Sequence, residues 1–237
     1  MELIINKTDH LPESLRALRQ PSVLIGNFDG CHLGHQKLVD HAKISADGES
    51  PLVAMSFDPH PEQFFGRRSE TEQIFTNELK GRALEELGVD LFILQTFDQA
   101  FAALGKDDFL DRFIVPLRPK SITVGSDFKF GSNRDGSFAD LDEVISSWSG
   151  KVTVVPTVLD QGNTPIHSTQ VRQKLADSGV MPELTAMLGH PYVLTGQSIR
   201  GLGVGKQIGI PTINILPSRQ LIPKHGVYAG FITKYEK

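Results

Sequence analysis

Apolar residues along the chain follow two spacings in turn. Short, nearly continuous apolar runs such as SVLIG and VTVV are typical of strands that are buried on both faces of a parallel sheet. Between these runs, apolar residues recur three or four positions apart, as Leu79, Ala83, Leu84 and Leu87 do, which predicts amphipathic helices. The predicted strands span residues 22–26, 52–57, 89–94, 121–124 and 152–155.

Helices are expected in the gaps between these strands. Asn77 is expected to cap a helix over residues 78–88, and Gly88 to end it. Asp107 or Asp108 is expected to begin another. The remaining predicted helices span residues 32–46, 141–148 and 168–188. Strands that alternate with helices in this way predict an α/β fold with a Rossmann-like parallel sheet and helices on both faces. In such sheets ligands bind beyond the carboxyl ends of the strands.

The pattern changes near Gly189, where the helical spacing ends. Two β-like runs follow, at residues 192–199 and 226–235, with a glycine-rich stretch between them. We therefore expect a domain of residues 1–186, followed by a partial β-barrel segment of residues 187–237.

Composition narrows the class of protein. A net charge of -4 does not favour nucleic acid as a partner, and no apolar run approaches the roughly 20 residues that cross a bilayer. The single cysteine, Cys31, excludes an intrachain disulfide, and the first 15 residues lack the apolar run of a signal peptide. The expectation is a cytoplasmic protein of small-molecule chemistry, with its oligomeric state left open.

The motif GNFDGCHLGH, residues 26–35, follows the first predicted strand directly. Its glycines permit tight turns, and the helix that begins near His32 offers free N–H groups to an anion. His32 and His35, three residues apart, share one face of that helix and suit phosphoryl or nucleotidyl transfer. Two other interpretations remain: surface or capping histidines, and a shared zinc ion, for which no third ligand is evident. Cys31 is expected to be a packing residue.

The motif resembles the (T/S)xGxFDGxHxGH signature of the adenylyltransferase module in bacterial bifunctional riboflavin kinase/FAD synthetases. The HxGH part alone marks the wider nucleotidyltransferase superfamily, and FDG narrows the resemblance to its flavin branch. The resemblance implies a nucleotidyltransferase fold and the reaction ATP + FMN → FAD + diphosphate, with Mg²⁺ as the metal.

Three later segments resemble the same family. SFDPHP at 56–61 and GSDFKFGSNRDG at 125–136 each follow a predicted strand, and HSTQVR at 167–172 begins the last helix. In HSTQVR, His167 stands where the family usually has serine. Simpler interpretations are a proline-stiffened turn, a loop held by Phe128 and Phe130 in the core, and a plain helix cap.

The resemblance implies a set of site residues, and hydroxyls plus a guanidinium at a helix N-terminus make a suitable phosphate clamp. The catalytic set is His32, His35, Ser168 and Arg172. The set that binds ATP is Gly26, Phe28, Asp29, Gly34 and Thr169. The flavin set is His60, Phe64 and Asp127.

Residues 196–215, GQSIRGLGVGKQIGIPTINI, resemble the opening of a riboflavin kinase module. By that resemblance Thr212 and Asn214 bind Mg²⁺, for which a hydroxyl and an amide oxygen are suitable ligands. Two interpretations of this segment remain: a piece of a longer parent chain that, by the resemblance, phosphorylates riboflavin to FMN, or a natural protein that has lost the kinase. Since the printed sequence ends at Lys237 without a matching acidic base, we expect no FMN from this chain with riboflavin, ATP and Mg²⁺.

Two alternatives to FMN adenylylation remain at this stage. One is an adenylyltransferase for another phosphorylated acceptor, such as pantetheine phosphate. The other is a non-catalytic protein that binds flavin or nucleotide, which the intact HxGH and STxxR motifs disfavour.

Overall fold

A six-stranded parallel sheet forms the centre of the molecule. The structure is a computed structural model that describes residues 1–18, 20–69, 72–201, 209 and 212–234. The strands are β1 (Glu2–Asn6), β2 (Ser22–Ile25), β3 (Leu52–Asp58), β4 (Leu91–Thr96), β5 (Ser121–Gly125) and β6 (Lys151–Val155), in the spatial order β1-β4-β3-β2-β5-β6. The α/β prediction is confirmed, and all five predicted strands are present, with β4 displaced by two residues.

The edge strand β1 was missed by the sequence analysis. Its Leu3 and Ile5 are about half exposed, and only Asn6 is buried, so the run lacks the continuous apolar character of the inner strands. β1 pairs in parallel with β4 through residues 2–6 and 91–95.

Helices cover both faces of the sheet, as predicted. They are α1 (Leu33–Ala46), α2 (Pro61–Phe64), α3 (Asn77–Glu86), α4 (Gln99–Ala102), α5 (Lys106–Phe109), α6 (Phe138–Ser146), α7 (Ser168–Asp177) and α8 (Met181–Leu188). Short helical turns occur at Glu13–Ala17, Leu110–Ile114, Val115–Leu117 and Ser132–Arg134. Successive residues of β2 enter different cores: Val23 and Ile25 pack with α6, and Leu24 packs with α1, α3 and α7.

Two predicted helix features are wrong. The single helix over 168–188 is two helices, because Gly179 adopts a left-handed conformation with φ of 62° between α7 and α8. The cap of α3 is Thr76, whose Oγ1 accepts a hydrogen bond from the N–H of Leu79 at 3.3 Å. Asn77 is already the first helical residue, and its buried Oδ1 has no partner among the described residues.

The sheet topology places the GNFDG turn at a special position. β2 lies between β3 and β5, so the chain moves outward from β2 in one direction and later returns to its other side. Crevices for ligands form at this kind of reversal, beyond the carboxyl ends of the strands. The segment after β2 lies at that point, and Gly26 N–H bonds to the carbonyl of Met55 in β3 at 3.1 Å.

The C-terminal segment forms a small antiparallel pair, β7 (Gly196–Ile199) with β8 (Asn214–Pro217). The predicted β-like run at 226–235 is not a strand in its described part, 226–234. Most of the glycine-rich stretch, 202–208 and 210–211, lies outside the described residues. None of the helices that the structure describes is both long and apolar enough to cross a membrane.

Candidate active site

The turn after β2 has an unusual backbone that sets up the site. Phe28, Gly30 and Cys31 all have positive φ, at 49°, 81° and 40°. A Cβ on Gly30 would lie 2.9 Å from Ile74, so the position requires glycine for space as well as conformation. The turn ends at His32, which is the N-cap of α1, and His35 follows in the first helical turn.

The rings of His32 and His35 stack on each other. Their centroids are 3.8 Å apart with planes inclined by 21°, and His32 is only 5% exposed. Both Nδ1 atoms are buried and lack a partner in the described part of the chain. Burial lowers the pKa of His32 from 6.5 to about 4, and burial together with His32 lowers the pKa of His35 well below 6.5. The pair is therefore neutral near pH 7 and can offer hydrogen bonds, but no charge, to a ligand.

Three residues of the turn pack close to the histidine rings: Gly26, Phe28 and Gly34. The Phe28 side chain is fully buried, with its ring centroid 5.4 Å from that of His35. A Cβ on Gly26 would lie 3.2 Å from the Phe28 ring, and one on Gly34 would lie 3.0 Å from the His32 ring. The buried Phe28 side chain supports His35, and both glycines provide room for the rings beside them.

Asp29 joins four parts of the site. Its Oδ2 accepts hydrogen bonds from Nη1 of Arg68 at 3.0 Å and Nη1 of Arg172 at 3.1 Å. Its Oδ1 accepts from the backbone N–H groups of Ile74 and Phe75 at 2.8 and 3.1 Å. Because the residue is only 1% exposed and both oxygens are engaged, Asp29 orients the guanidinium of Arg172.

The N-terminus of α7 docks on the same turn. Ser168 Oγ donates to the backbone carbonyl of Asp29 at 2.8 Å, and Thr169 Oγ1 accepts from Nη2 of Arg172 at 3.0 Å. His167 caps the helix start, and its N–H donates to Gln170 Oε1 at 2.9 Å. The two halves of the predicted phosphate site, the HxGH turn and the STxxR helix start, are therefore in contact.

The short helix α2 connects this region to the predicted flavin side. Nη2 of Arg172 lies 3.8 Å from Oε2 of Glu62, and the N–H of Glu62 donates to Nδ1 of His60 at 3.1 Å. Burial and the nearby Arg68 lower the pKa of His60 to about 3. Glu62 therefore connects His60 to Arg172, the guanidinium that Asp29 holds beside the HxGH turn.

Phe64 belongs to a cluster of aromatic rings next to His60. Its centroid is 5.2 Å from Phe65 and 5.4 Å from Phe97, both edge to face. Phe65 is 54% exposed and was not singled out from the sequence. Asp127 is exposed in the turn after β5, and none of its described contacts reaches the histidine pair. Phe128 and Phe130 of that turn pack on the core, as one interpretation of the segment expected.

Sequence reasoning missed two buried cations in this region. Arg68 has a side chain that is 4% exposed, and its Nε has no partner among the described residues. Lys80 is 3% exposed on α3 and belongs to no ion pair in the described ranges. Burial lowers the pKa of Lys80, while Asp29 and Asp58 act in the opposite direction. A lysine on the apolar side of a predicted helix, beside Leu79 and Leu84, was the available signal.

The two proposed Mg²⁺ ligands, Thr212 and Asn214, belong to the C-terminal segment. Thr212 is exposed just before β8, and Asn214 is the exposed first residue of that strand. A Cβ on Gly201 would meet Nδ2 of Asn214, so the amide lies against the start of the glycine-rich stretch. Within the described residues no group of three or more His, Cys, Asp or Glu side chains is arranged to hold a metal ion.

Comparisons with known proteins identify the family. Residues 15–170 match the FAD synthetase family model, and residues 188–237 match the riboflavin kinase family model. The chain is 36% identical over 207 residues to the bifunctional riboflavin kinase/FMN adenylyltransferase of Escherichia coli (strain K12), covering 86% of this chain and 66% of that protein. It is 31% identical over 230 residues to the protein of that name from Bacillus subtilis (strain 168), covering 94% and 72%.

A solved structure agrees with the fold. The crystal structure of a protein named macrolide-efflux protein from Streptococcus pneumoniae superposes with a TM-score of 0.82 at 30% sequence identity, covering 96% of this chain and 73% of that chain. The chain spans about two thirds of the length of the curated relatives it matches. The resemblance drawn from the motifs is confirmed: the chain belongs to the FAD synthetase family and carries an FMN adenylyltransferase domain, followed by sequence of the riboflavin kinase family.

Proposed function

We propose that this chain transfers the adenylyl group of ATP to FMN, giving FAD and diphosphate. The observation that carries the proposal is the contact that Asp29 makes between the start of α7 and the turn that holds the neutral, stacked pair His32 and His35. It supports a site that holds a triphosphate at a helix N-terminus, within a chain of the FAD synthetase family.

In the proposed reaction a phosphate oxygen of FMN attacks the α-phosphorus of ATP, and the bond from that phosphorus to the bridging oxygen of diphosphate breaks. His32 and His35 donate hydrogen bonds to phosphate oxygens as negative charge shifts onto the leaving group. Ser168, Thr169 and Arg172 hold the β- and γ-phosphates, with Arg172 oriented by Asp29. Mg²⁺, when bound to phosphate oxygens, supplies neutralising charge.

The flavin is proposed to bind on the side of α2. The rings of Phe64 and Phe65 offer an aromatic surface for the isoalloxazine, and His60 lies between that surface and Arg172. Asp127, exposed after β5, is proposed to contact the flavin from the other side of the crevice. Gly26 and Gly34 are proposed to line the ATP side, with the buried ring of Phe28 behind them.

The test is an incubation of the protein with ATP, Mg²⁺ and FMN, followed by chromatographic detection of FAD. Parallel reactions replace FMN by pantetheine phosphate or by buffer, and diphosphate release is measured in each. FAD formed only with FMN supports the proposal. Diphosphate released with pantetheine phosphate and not with FMN indicates another acceptor, and tight FMN binding without turnover indicates a binding protein.

A further inference from the structure

The chain that leaves α8 passes directly over the active-site turn. Gly189 ends α8 in a left-handed conformation with φ of 76°, and a Cβ there would lie 2.7 Å from Leu33 at the start of α1. Gln36 of α1 donates from Nε2 to the carbonyls of both Cys31, at 2.9 Å, and Leu188, at 2.6 Å. The end of α8 and the HxGH turn are thus held by one side chain.

The next residue, His190, makes two contacts with the site. Its Nε2 lies 3.0 Å from the backbone carbonyl of Gly30, and its ring stacks on Phe75 with centroids 5.3 Å apart and planes inclined by 26°. Nδ1 of His190 also lies 2.8 Å from the carbonyl of Pro191, and because a carbonyl oxygen only accepts, the bond to Gly30 forms in the tautomer with its proton on Nε2. His190 therefore bonds to one segment and packs on another.

Those two segments meet at Asp29. Gly30 is its neighbour in the chain, and the N–H of Phe75 donates to its Oδ1. A shift of the turn relative to Phe75 therefore moves the Asp29 carboxylate, whose Oδ2 holds Arg172. Two contacts link His190 to the Arg172 guanidinium: the contact of His190 with Gly30, and that of Asp29 with Arg172.

Other residues of the C-terminal segment hold the same stretch. Gln220 donates from Nε2 to the carbonyls of Ile74, at 2.9 Å, and Val193, at 3.0 Å. The N–H of Leu221 donates to the carbonyl of Gln73 at 2.8 Å. The backbone of residues 73–75, which bonds to Asp29, is therefore held by residues of the region that matches the riboflavin kinase family.

We propose that His190 is a positioning residue of the adenylyltransferase site, which fixes the Gly30 turn against Phe75 and thereby sets Asp29 and Arg172 for the ATP phosphates. The inference rests on the proposed function in placing ATP at this turn. Since His190 lies in the region that matches the riboflavin kinase family, that region would then contribute a residue to the adenylyltransferase site.

The test measures the affinity for a non-hydrolysable ATP analogue by titration calorimetry, without FMN. His190→Phe keeps an aromatic ring on Phe75 and removes the donor, so affinity should fall about threefold to tenfold, the effect of one neutral hydrogen bond. His190→Gln keeps a donor of similar reach and should stay close to wild type. His225→Phe, an exposed histidine of the same segment, is the matched control.

A double-mutant comparison separates positioning from general destabilisation. If His190 acts through Arg172, His190→Phe should have little further effect in an Arg172→Ala background. Equal losses in both backgrounds, or an unchanged affinity in a folded His190→Phe protein, overturn the proposal. If His190→Phe fails to fold, His190→Asn, whose amide is one methylene shorter than that of Gln, replaces it. Equal affinities of the Asn and Gln variants then overturn the proposal.

The design keeps the two proposals apart. A wild-type protein that binds the analogue and makes no FAD contradicts the proposed function, while the comparison of variants retains its meaning. A wild-type protein that makes FAD, with His190 variants that bind the analogue normally, contradicts only the role of His190.

Discussion

Oδ2 of Asp29 lies 3.1 Å from Nη1 of Arg172, although 143 residues separate them in the chain. The same oxygen also accepts a hydrogen bond from Arg68, so a single buried carboxylate binds two guanidinium groups. Glu62 also faces Arg172, at 3.8 Å, so the two guanidinium groups lie against two carboxylates. Asp29 thereby connects the stability of the fold to the site.

Replacing Asp29 by alanine should destabilise the protein and weaken ATP binding together. The change leaves two guanidinium groups and two backbone N–H groups without their acceptor, at a cost of about 3–5 kcal/mol in the free energy of unfolding. Urea unfolding and analogue binding measure the two effects. Asp47→Asn is the matched control, since Asp47 is exposed and, among the described residues, pairs only with Lys120 at the surface. A loss below 1 kcal/mol for Asp29→Ala would contradict the role given to this carboxylate.

Replacing His35 by alanine should lower the rate of FAD formation by about 10²–10³, because one hydrogen-bond donor to the transition state is lost. His32→Ala should act similarly. Initial rates at saturating ATP and FMN measure the effect, and His10→Ala, an exposed histidine on the far edge of the sheet, should retain the wild-type rate. Full activity of His35→Ala would disprove the assignment of the site.

Gly34→Ala should impair catalysis through the position of His32. The added Cβ would lie 3.0 Å from the imidazole, which must move by a few tenths of an ångström, and we expect kcat to fall by up to about tenfold. Gly105→Ala is the control, because a Cβ there meets no atom of the described residues within 4 Å. Comparable rates for the two alanine variants would show that the ring has room to relax.

The protein should lose stability as the pH falls from 6.5 towards 4. The unfolded chain protonates its histidines near pH 6.5, whereas folded His32 and His60 stay neutral down to pKa values of about 4 and about 3. The unfolded state therefore binds more protons in this window, and each such group removes up to about 1.4 kcal/mol per pH unit. Urea unfolding between pH 7.5 and 4.5 measures the slope.

His60→Asn tests the source of this acid sensitivity. Asparagine keeps an acceptor for the N–H of Glu62 and removes one titrating group, so the dependence of the unfolding free energy on pH should become shallower. An unchanged slope would assign the acid sensitivity to other groups.

Much of the fold and the centre of the site could be predicted from the sequence. The inner strands are buried on both faces and leave continuous apolar runs, and the HxGH turn combines histidines and glycines at a fixed spacing. Arg68 could not be placed, because it lies 39 residues from Asp29 along the chain, beyond α1, β3 and α2. The division between α7 and α8 depends on the conformation of Gly179, which carries no periodic signal. β1 was missed because its outer residues face solvent.

The assignment of domains 1–186 and 187–237 stays a prediction, and so do the Mg²⁺ ligands Thr212 and Asn214. Individual roles within the site also stay proposals, although the residues assigned to the ATP side do lie together. Distant contacts of this kind, such as Ser168 with the Asp29 carbonyl, are visible in a sequence only through resemblance to a family.

The backbone bonds from Leu221 to Gln73 and from Lys224 to Leu175 have a practical consequence for separating the two family regions. A fragment trimmed after residue 186 would uncover Ile74 and Phe75, which are 0% and 3% exposed in the intact chain. Such a fragment should be prone to aggregation, whereas one that extends through Lys224 should retain the residues that cover Ile74 and Phe75. We therefore expect the border of the independently folding unit to lie beyond the border drawn by family matching.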